Sequence, residues 1–214
     1  MSDKPSPIIT RDPERSREAI LEAATEVFAE LGYNQTTLQL VGARSGLSRG
    51  TPGYFFGSKE ALYRAVLDRA FREAREALLR ADEEIRSANL DEEESFRRSI
   101  GAYIEFLAAH PRFVRLVEWE ALGHGGALGA HPRHMELVLD SLAEIGQYFA
   151  EDLPAGFDTT QLLLSIMGLC WFPIAHRQTL GKVMGVDALD REFLEARKQH
   201  VAELVYRGIK GAAG

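Results

Sequence analysis

Apolar residues recur every three or four positions along most of the chain, which is the spacing of an amphipathic helix. The first such segment carries one apolar face, made of Ile20, Ala23, Val27 and Leu31. Asp12 followed by Pro13 predicts its start, and Gly32 predicts its end. No segment alternates apolar and polar residues with a period of two. The pattern therefore predicts an all-α fold of about nine helices.

A second face of the first helical segment is acidic. It carries glutamates at four-residue spacing, namely Glu14, Glu18, Glu22, Glu26 and Glu30. We interpret them as a solvated face that Arg15 and Arg17 partly offset. A metal-binding carboxylate stripe is disfavoured because no histidine interleaves with the glutamates.

Two short helices are expected after Gly32. Thr36 or Thr37 is placed to cap a helix over 38–44. Ser48 offers the next cap, for a piece over about 48–55. Longer helical patterns follow these two, over about 58–86, 96–107, 113–120, 135–153, 162–178 and after Asp190. Pro173 is expected to kink the apolar helix that contains it.

Charge is unevenly distributed along the sequence. The 214 residues carry a net charge of −7, which on its face argues against nucleic acid as a partner. The window 31–59, however, contains Arg44, Arg49 and Lys59 and neither Asp nor Glu. Its charge is +3, and the remaining 22 basic and 32 acidic residues give −10. Because charges act over about 10 Å in salt solution, the local window decides whether a binding face is basic.

Other features of the composition restrict the class of protein. The single cysteine, Cys170, excludes an internal disulfide and a multi-cysteine zinc site. No apolar run follows a basic stretch at the amino terminus, so no secretory signal is visible. The apolar stretch 162–175 falls short of the ~20 residues that span a bilayer. We expect a soluble, cytoplasmic protein without membrane contact.

The most informative segment reads TTLQLVGARSGLSRGTPGYFF, two short helices joined by a turn that contains glycine. Gly42 lies inside the first short helix, where glycine costs about 1 kcal/mol relative to alanine. A close approach of the second helix would explain that cost. Gly46 can adopt the left-handed conformation that the turn needs. The pattern favours a helix-turn-helix, although many helical hairpins share this spacing.

Residues 27–67 resemble the TetR family of transcriptional regulators. The resemblance is carried by GYNQTT, GLSRGT, the aromatic cluster YFF and SKEAL, in that order. It implies a helix-turn-helix DNA-binding domain over 12–57 and a helical effector-binding and dimerisation domain over 58–214. Residues 1–11, which contain Pro5 and Pro7 and no periodic pattern, are expected to form a flexible arm. The resemblance also implies a palindromic double-stranded DNA operator, a homodimer and a small-molecule effector that releases the DNA. We expect a repressor without a cofactor.

The resemblance assigns DNA-binding roles to seven residues. Ser48, Arg49 and Thr51 open the recognition helix, and Arg49 is the candidate for a bidentate contact to guanine. The other four are expected at the DNA backbone: Thr37, Arg44, Tyr54 and Lys59. Phe55 and Phe56 are expected in the protein core.

One dipeptide departs from the family pattern. Pro52-Gly53 stands where the family usually has Leu-Tyr, so the phosphate-contacting tyrosine of that site is absent and Tyr54 is the candidate substitute. Proline restricts the preceding residue to extended conformations. The recognition helix is therefore expected to begin with Thr51 as its cap and Pro52 at its first position.

The later helices contain candidates for an effector pocket and a dimer interface. Side chains that combine an apolar body with a polar tip suit a pocket. The candidates of this kind are Trp119, His124, Trp171 and His176, and the apolar residues Phe106 and Met167 complete the set. The last two helices have apolar faces that the family pairs with a second subunit, here Leu162, Ile166, Leu169, Val201, Leu204 and Val205. Ordinary core packing is the alternative for both sets.

Two other classes of function remain open at this point. A helical enzyme is conceivable, with His124 or His176 acting beside Glu120, but no nucleophile elbow, phosphate loop or metalloprotease motif occurs. His131 and His134 lack a third ligand at a suitable spacing, so no metal site is predicted. A helical adaptor that does not bind DNA is the other alternative.

Overall fold

The computed structural model of the chain describes residues 12–123 and 158–212, together with Glu136 and Asp140. These residues form helices and contain no strand, which confirms the predicted all-α fold. The α-helices are α1 (Pro13–Gln35), α2 (Leu38–Arg44), α3 (Thr51–Phe56), α4 (Lys59–Ser87), α5 (Glu92–Ala109), α6 (Pro111–Leu122), α7 (Thr159–Ala175) and α8 (Arg191–Ala212). A π-helical turn, Arg177–Gly181, follows α7. The predicted arm over 1–11 lies outside the described residues, and so does the predicted helix over 135–153 apart from Glu136 and Asp140, which are helical.

Local sequence signals set most helix ends. The Asp12 carboxylate accepts hydrogen bonds from the backbone N–H groups of Glu14 and Arg15, at 3.0 and 3.2 Å. Gly32 interrupts α1 with φ 72° and ψ 176°, so the regular helix ends where the sequence predicts. Ser58 caps α4 by accepting from the N–H of Ala61 at 3.1 Å. These observations confirm the predicted helix ends. Such ends can be predicted because each depends only on a residue and its immediate neighbours.

The apolar helix differs slightly from its prediction. Asp158 caps α7, and the helix passes through Pro173 to end at Ala175. The next residues form the π-helical turn rather than a continuation to about 178. The π-helical turn was not expected, because it has no sequence signature of its own.

The described residues divide into two compact units. The first comprises 12–70 and 115–123, and its core combines apolar residues of α1, α2, α4 and α6 such as Phe28, Val41, Leu62 and Leu116. The packing of this unit thus extends beyond residue 57. The predicted functional division between 57 and 58 stays a prediction.

The second unit comprises 71–114 and 158–212, with Glu136 and Asp140. Within it, α5 packs against both α7 and α8. Ile104 and Leu107 of α5, Ile174 of α7 and Val201 of α8 are almost completely buried. These residues form the apolar core of the second unit.

Candidate nucleic-acid interface

The segment from α2 to α3 has the geometry of a helix-turn-helix. Thr37 caps α2 by accepting from the Leu40 N–H at 3.2 Å. Gly46 has φ 73°, the left-handed conformation predicted for the turn. The Leu47 N–H donates to the Gly42 carbonyl at 3.2 Å, which brings the turn back against α2.

Gly42 allows this return. A Cβ atom built on Gly42 would lie 2.8 Å from the Ser48 carbonyl oxygen and 2.9 Å from the Arg49 Cα. Any side chain there would displace the backbone that leads into α3. The predicted close approach is therefore present, and its partner is the backbone of Ser48 and Arg49 rather than α3 itself.

The recognition helix α3 begins one residue earlier than predicted, so the expected cap at Thr51 is wrong. Gly50 occupies the cap position, and Thr51 is the first helical residue instead of the cap. The Ser48 and Thr51 hydroxyls share a hydrogen bond of 2.7 Å, which ties the turn to the first turn of α3. Pro52 is buried, so it faces the core rather than solvent.

Arg49 and Tyr54 are two of the predicted contact residues that are exposed to solvent. Arg49 is exposed and has no ion-pair partner in the described part of the chain. Tyr54 is 86% exposed, and its ring meets Phe55 edge-on with 5.4 Å between centroids. Phe55 and Phe56 are half-buried against the core of the first unit, as predicted. Arg49 and Tyr54 therefore give this surface one cation and one phenolic hydroxyl.

Lys59 and Arg44 are held by other parts of the first unit. The Lys59 ammonium lies 4.3 Å from the centre of the Tyr33 ring and donates to the Asn34 carbonyl at 3.3 Å. Arg44 forms ion pairs with two glutamates of α1, at 3.4 Å to Glu26 and 3.2 Å to Glu30. Its hydrogen bond to Glu30 is the main cause of a raised pKa of the guanidinium. The window 31–59 lacks acids in sequence, but carboxylates of α1 reach it in space.

The acidic face of α1 is consequently more than a solvated surface. Arg69 of α4 pairs with Glu18 at 2.6 Å and with Glu22 at 3.3 Å. Arg44 bridges the next two glutamates in the same way. The interpretation that Arg15 and Arg17 offset this face is wrong, because the cations come from α4 and α2. Arg17 instead lies over the Phe56 ring, 4.9 Å from its centre.

Trp119, a predicted pocket residue, packs inside the first unit. Its Nε1–H donates to the Ala29 carbonyl at 3.1 Å. A Cβ atom built on Gly32 would lie 2.9 Å from the Trp119 ring, so glycine makes room for the indole. Trp119 therefore joins α6 to the end of α1. His124 lies outside the described residues.

The second unit brings two other pocket candidates into one aromatic cluster. Phe113 lies between Phe106 and Trp171, with centroid distances of 5.3 and 6.1 Å. Phe71 meets Phe113 edge-on at 5.3 Å. We call Phe71, Phe106, Phe113 and Trp171 the aromatic cluster. Phe71 and Phe113 were not among the predicted pocket residues, since their spacing alone marks them as ordinary core.

Polar groups accompany this cluster in the second unit. Burial raises the pKa of Tyr103, and burial raises the pKa of the Cys170 thiol to about 12. Met167 is half-buried on α7. His176 follows α7, where its ring stacks on Phe172 at 4.4 Å and its Nδ1 lies 3.2 Å from the Phe172 carbonyl oxygen. His176 thus contacts its own helix rather than the aromatic cluster.

The predicted dimer residues differ in how far their own chain buries them. Four of them are already buried by their own chain, namely Leu162, Ile166, Val201 and Val205. Leu169 is half-buried, and its carbonyl accepts two hydrogen bonds from Arg197, at 2.6 and 3.2 Å. Leu204 is 52% exposed. Leu164 and Phe172, which the prediction omitted, are 56% and 48% exposed on α7.

The part of the chain that the structure describes also bears on metal binding and on membrane insertion. No group of three or more His, Cys, Asp or Glu in that part is arranged to hold a metal ion. None of its helices combines the length and the apolar character needed to cross a bilayer.

Comparison with known proteins gives consistent matches. Residues 20–66 match the family described as bacterial regulatory proteins, tetR family. Residues 93–205, more than half of the chain, match the family described as tetracyclin repressor-like, C-terminal domain.

Individual relatives match over most of their length. The HTH-type transcriptional repressor NicS of Pseudomonas putida is 24% identical over 220 residues, which cover 98% of this chain and 100% of NicS. A putative transcriptional regulator of Streptomyces coelicolor has a similar fold, with a TM-score of 0.66 and 23% identity over 90% of this chain and 97% of that one. The transcriptional regulator FadR of Bacillus subtilis, solved in complex with stearoyl-CoA, has a TM-score of 0.65 and 20% identity over 90% and 99% of the two chains.

Proposed function

The chain belongs to the TetR family of transcriptional regulators, and from that premise we propose that it represses transcription by binding a palindromic operator as a dimer. A small molecule bound in the second unit would shift the population toward a state that fits the operator poorly. The proposal includes the predicted cytoplasmic location, since an operator-binding protein acts where the DNA is.

The observation that carries the DNA-binding proposal is the state of Arg49. This guanidinium is exposed and has no ion-pair partner in the described residues. It follows a turn whose backbone is fixed by close contact with Gly42. A guanidinium in this state is available for a bidentate contact to guanine in the major groove. Ser48, Thr51 and Tyr54 are proposed to contact bases or backbone beside it, with Thr37 and Lys59 at neighbouring phosphates.

The test uses a duplex that the wild-type protein selects from a random library. We expect Arg49→Ala to weaken binding to that duplex by about 1–3 kcal/mol in a titration. Arg98→Ala is the matched control, because Arg98 is an exposed arginine of α5 that pairs with Glu94 at 2.9 Å. Equal affinity of the Arg49→Ala and wild-type proteins would contradict the role of Arg49. A helical adaptor or enzyme would select no duplex, whereas phosphate contacts produce an affinity that falls steeply with salt.

The aromatic cluster is the proposed effector site. It supplies flat apolar surfaces from Phe106 and Trp171, while Tyr103 supplies a half-buried phenol in the same unit. These groups suit a small molecule with an apolar body and one hydrogen-bonding group. Such a molecule would raise the melting temperature of the protein by mass action and release the selected duplex.

The dimer is proposed to form through exposed residues of α7 and α8. Leu164 and Phe172 lie on α7 and Leu204 lies on α8, all about half exposed. Cβ atoms built on Gly168 and Gly208 would meet nothing within 4 Å, so both helices have small residues beside those apolar ones. Apolar and small residues together allow close helix packing against a second copy. We define the dimer face as Leu164, Gly168, Phe172, Leu204 and Gly208.

A further inference from the structure

Arg44 is a candidate phosphate ligand by its position in the motif, but its surroundings indicate a different role. Its two terminal nitrogens face both oxygens of Glu30, at 3.3 and 3.2 Å. One of them also faces Glu26 at 3.4 Å. The three residues carry a net charge of −1. A phosphate would therefore have to displace two carboxylates and approach a group that is negative as a whole.

Arg44 also reduces the repulsion between the two carboxylates of Glu26 and Glu30. Glu26 and Glu30 are four residues apart on α1, where two like charges destabilise a helix. Arg44 lies in the last turn of α2, where a positive charge interacts favourably with the helix dipole. The ion pairs therefore favour a fixed position of the carboxyl end of α2 on α1.

Apolar contacts also hold α2 on the core. The helix has seven residues, of which Val41 and Gly42 are buried. Leu38 at its start and Leu47 after its end pack against the same core. The ion pairs of Arg44 add a polar attachment at the end from which the turn leaves.

The position of the carboxyl end of α2 determines where the Arg49 backbone lies. The backbone of Ser48 and Arg49 lies against Gly42, two residues before Arg44, with no room for a side chain between them. A shift of α2 on α1 would therefore move the Arg49 backbone with it. Small displacements of this kind weaken a bidentate contact, which has strict geometry.

We propose that Arg44, Glu26 and Glu30 form a clamp that positions the helix-turn-helix for base reading, so that Arg44 is a positioning residue rather than a phosphate ligand. The proposal rests on the DNA-binding function proposed above. It gives Arg44 and Arg49 different roles: Arg49 contacts the base, and Arg44 acts by holding Arg49 in position.

The test compares Arg44→Ala with the double variant Glu26→Gln/Glu30→Gln in the full-length protein. The probes are the duplex selected by the wild-type protein and a scrambled duplex of the same length. We expect each change to weaken binding to the selected duplex about fivefold, by lowering the population of the competent arrangement. Binding to the scrambled duplex should change less than twofold. Arg44→Ala added to the double variant should have no further effect, because the clamp is already open.

Salt dependence distinguishes the clamp from a phosphate contact. The clamp predicts that Arg44→Ala leaves the slope of log affinity against log salt unchanged, whereas loss of a phosphate contact lowers its magnitude by about 1. Glu14→Gln is the control, since it removes one carboxylate charge from α1 at a residue outside the clamp, against two in the double variant. A lower slope for Arg44→Ala, or tighter binding by Glu26→Gln/Glu30→Gln than by Glu14→Gln, would overturn the proposal.

A second measurement keeps the two proposals distinguishable. If the wild-type protein selects no duplex, the DNA-binding function fails, and amide hydrogen exchange still tests the clamp. Arg44→Ala should then speed exchange in residues 38–50 at least threefold relative to wild type, while Glu14→Gln does not. Unchanged exchange in the Arg44→Ala protein would reject the clamp by itself.

Discussion

Tyr63 of α4 donates a hydrogen bond to the Glu120 carboxylate of α6, with 2.6 Å between the two oxygens, in the buried part of the first unit. Burial is the main cause of the raised pKa of Tyr63, and the hydrogen bond to Glu120 raises the pKa further. Trp119, next to Glu120, bonds to Ala29 of α1. Through these two bonds the end of α6 is an integral part of the first unit.

Tyr63→Phe should destabilise the protein by about 1–3 kcal/mol, because it removes a donor from a buried carboxylate. Urea unfolding at neutral pH measures the change. Tyr54→Phe is the matched control, since that hydroxyl is exposed, and it should shift the free energy of unfolding by less than about 0.5 kcal/mol. Equal stability of the two variants would contradict the structural role given to the bond.

Cys170 should make stability depend on pH in the alkaline range. Burial raises the pKa of its thiol from 9.0 to about 12. The unfolded chain therefore loses its proton first, and the stability present below pH 9 declines as the pH rises toward 12. We expect wild type to lose about 1 kcal/mol more than Cys170→Ala between pH 8 and pH 10, measured by urea unfolding. Parallel pH profiles for the two proteins would contradict the burial of the thiol.

Gly42→Ala should damage both folding and DNA binding. The new methyl group would meet the Ser48 carbonyl oxygen at 2.8 Å, so the turn must move. We expect a loss of about 1–3 kcal/mol in stability, despite the better helix propensity of alanine. In Gly101→Ala the Cβ atom would lie 3.7 Å from a flexible Lys198 side chain, and we expect that variant to be equally or more stable than wild type. Thermal melts of both variants, with titrations of the selected duplex, check the comparison.

Leu204→Glu should prevent the proposed dimer from forming, because it places a charge on the dimer face. Leu79→Glu is the control, since Leu79 is 43% exposed on α4, outside that face. Sedimentation velocity at several concentrations gives the mass of each variant. A Leu204→Glu protein that stays dimeric at low concentration would show that subunits associate elsewhere.

Features that depend on neighbouring residues could be predicted from the sequence. The caps at Asp12 and Thr37 and the left-handed Gly46 are of this kind, since each follows from one residue type beside a helical pattern. The order of the motif residues then identified the family. These local rules were enough for the fold class and for the helix-turn-helix.

Features that depend on distant residues could not be predicted. Arg44 pairs with glutamates 14 and 18 positions away, and Trp119 bonds to a residue 90 positions away. Leu162 and Leu204 are equally apolar, yet only Leu204 remains exposed in the folded chain. Periodicity gives the apolar face of a helix, but it does not distinguish packing within one chain from packing against a second copy.

The dipeptide Pro52-Gly53 limits how this protein can be retargeted to other operators. Pro52 is turned into the core, and Gly53 has no side chain to offer a base. In a recognition helix of six residues, that leaves Thr51 and Tyr54 as outward positions besides the turn residues Ser48 and Arg49. On the proposed assignment of DNA contacts, these four positions are therefore the ones to randomise when a variant with a new operator preference is sought.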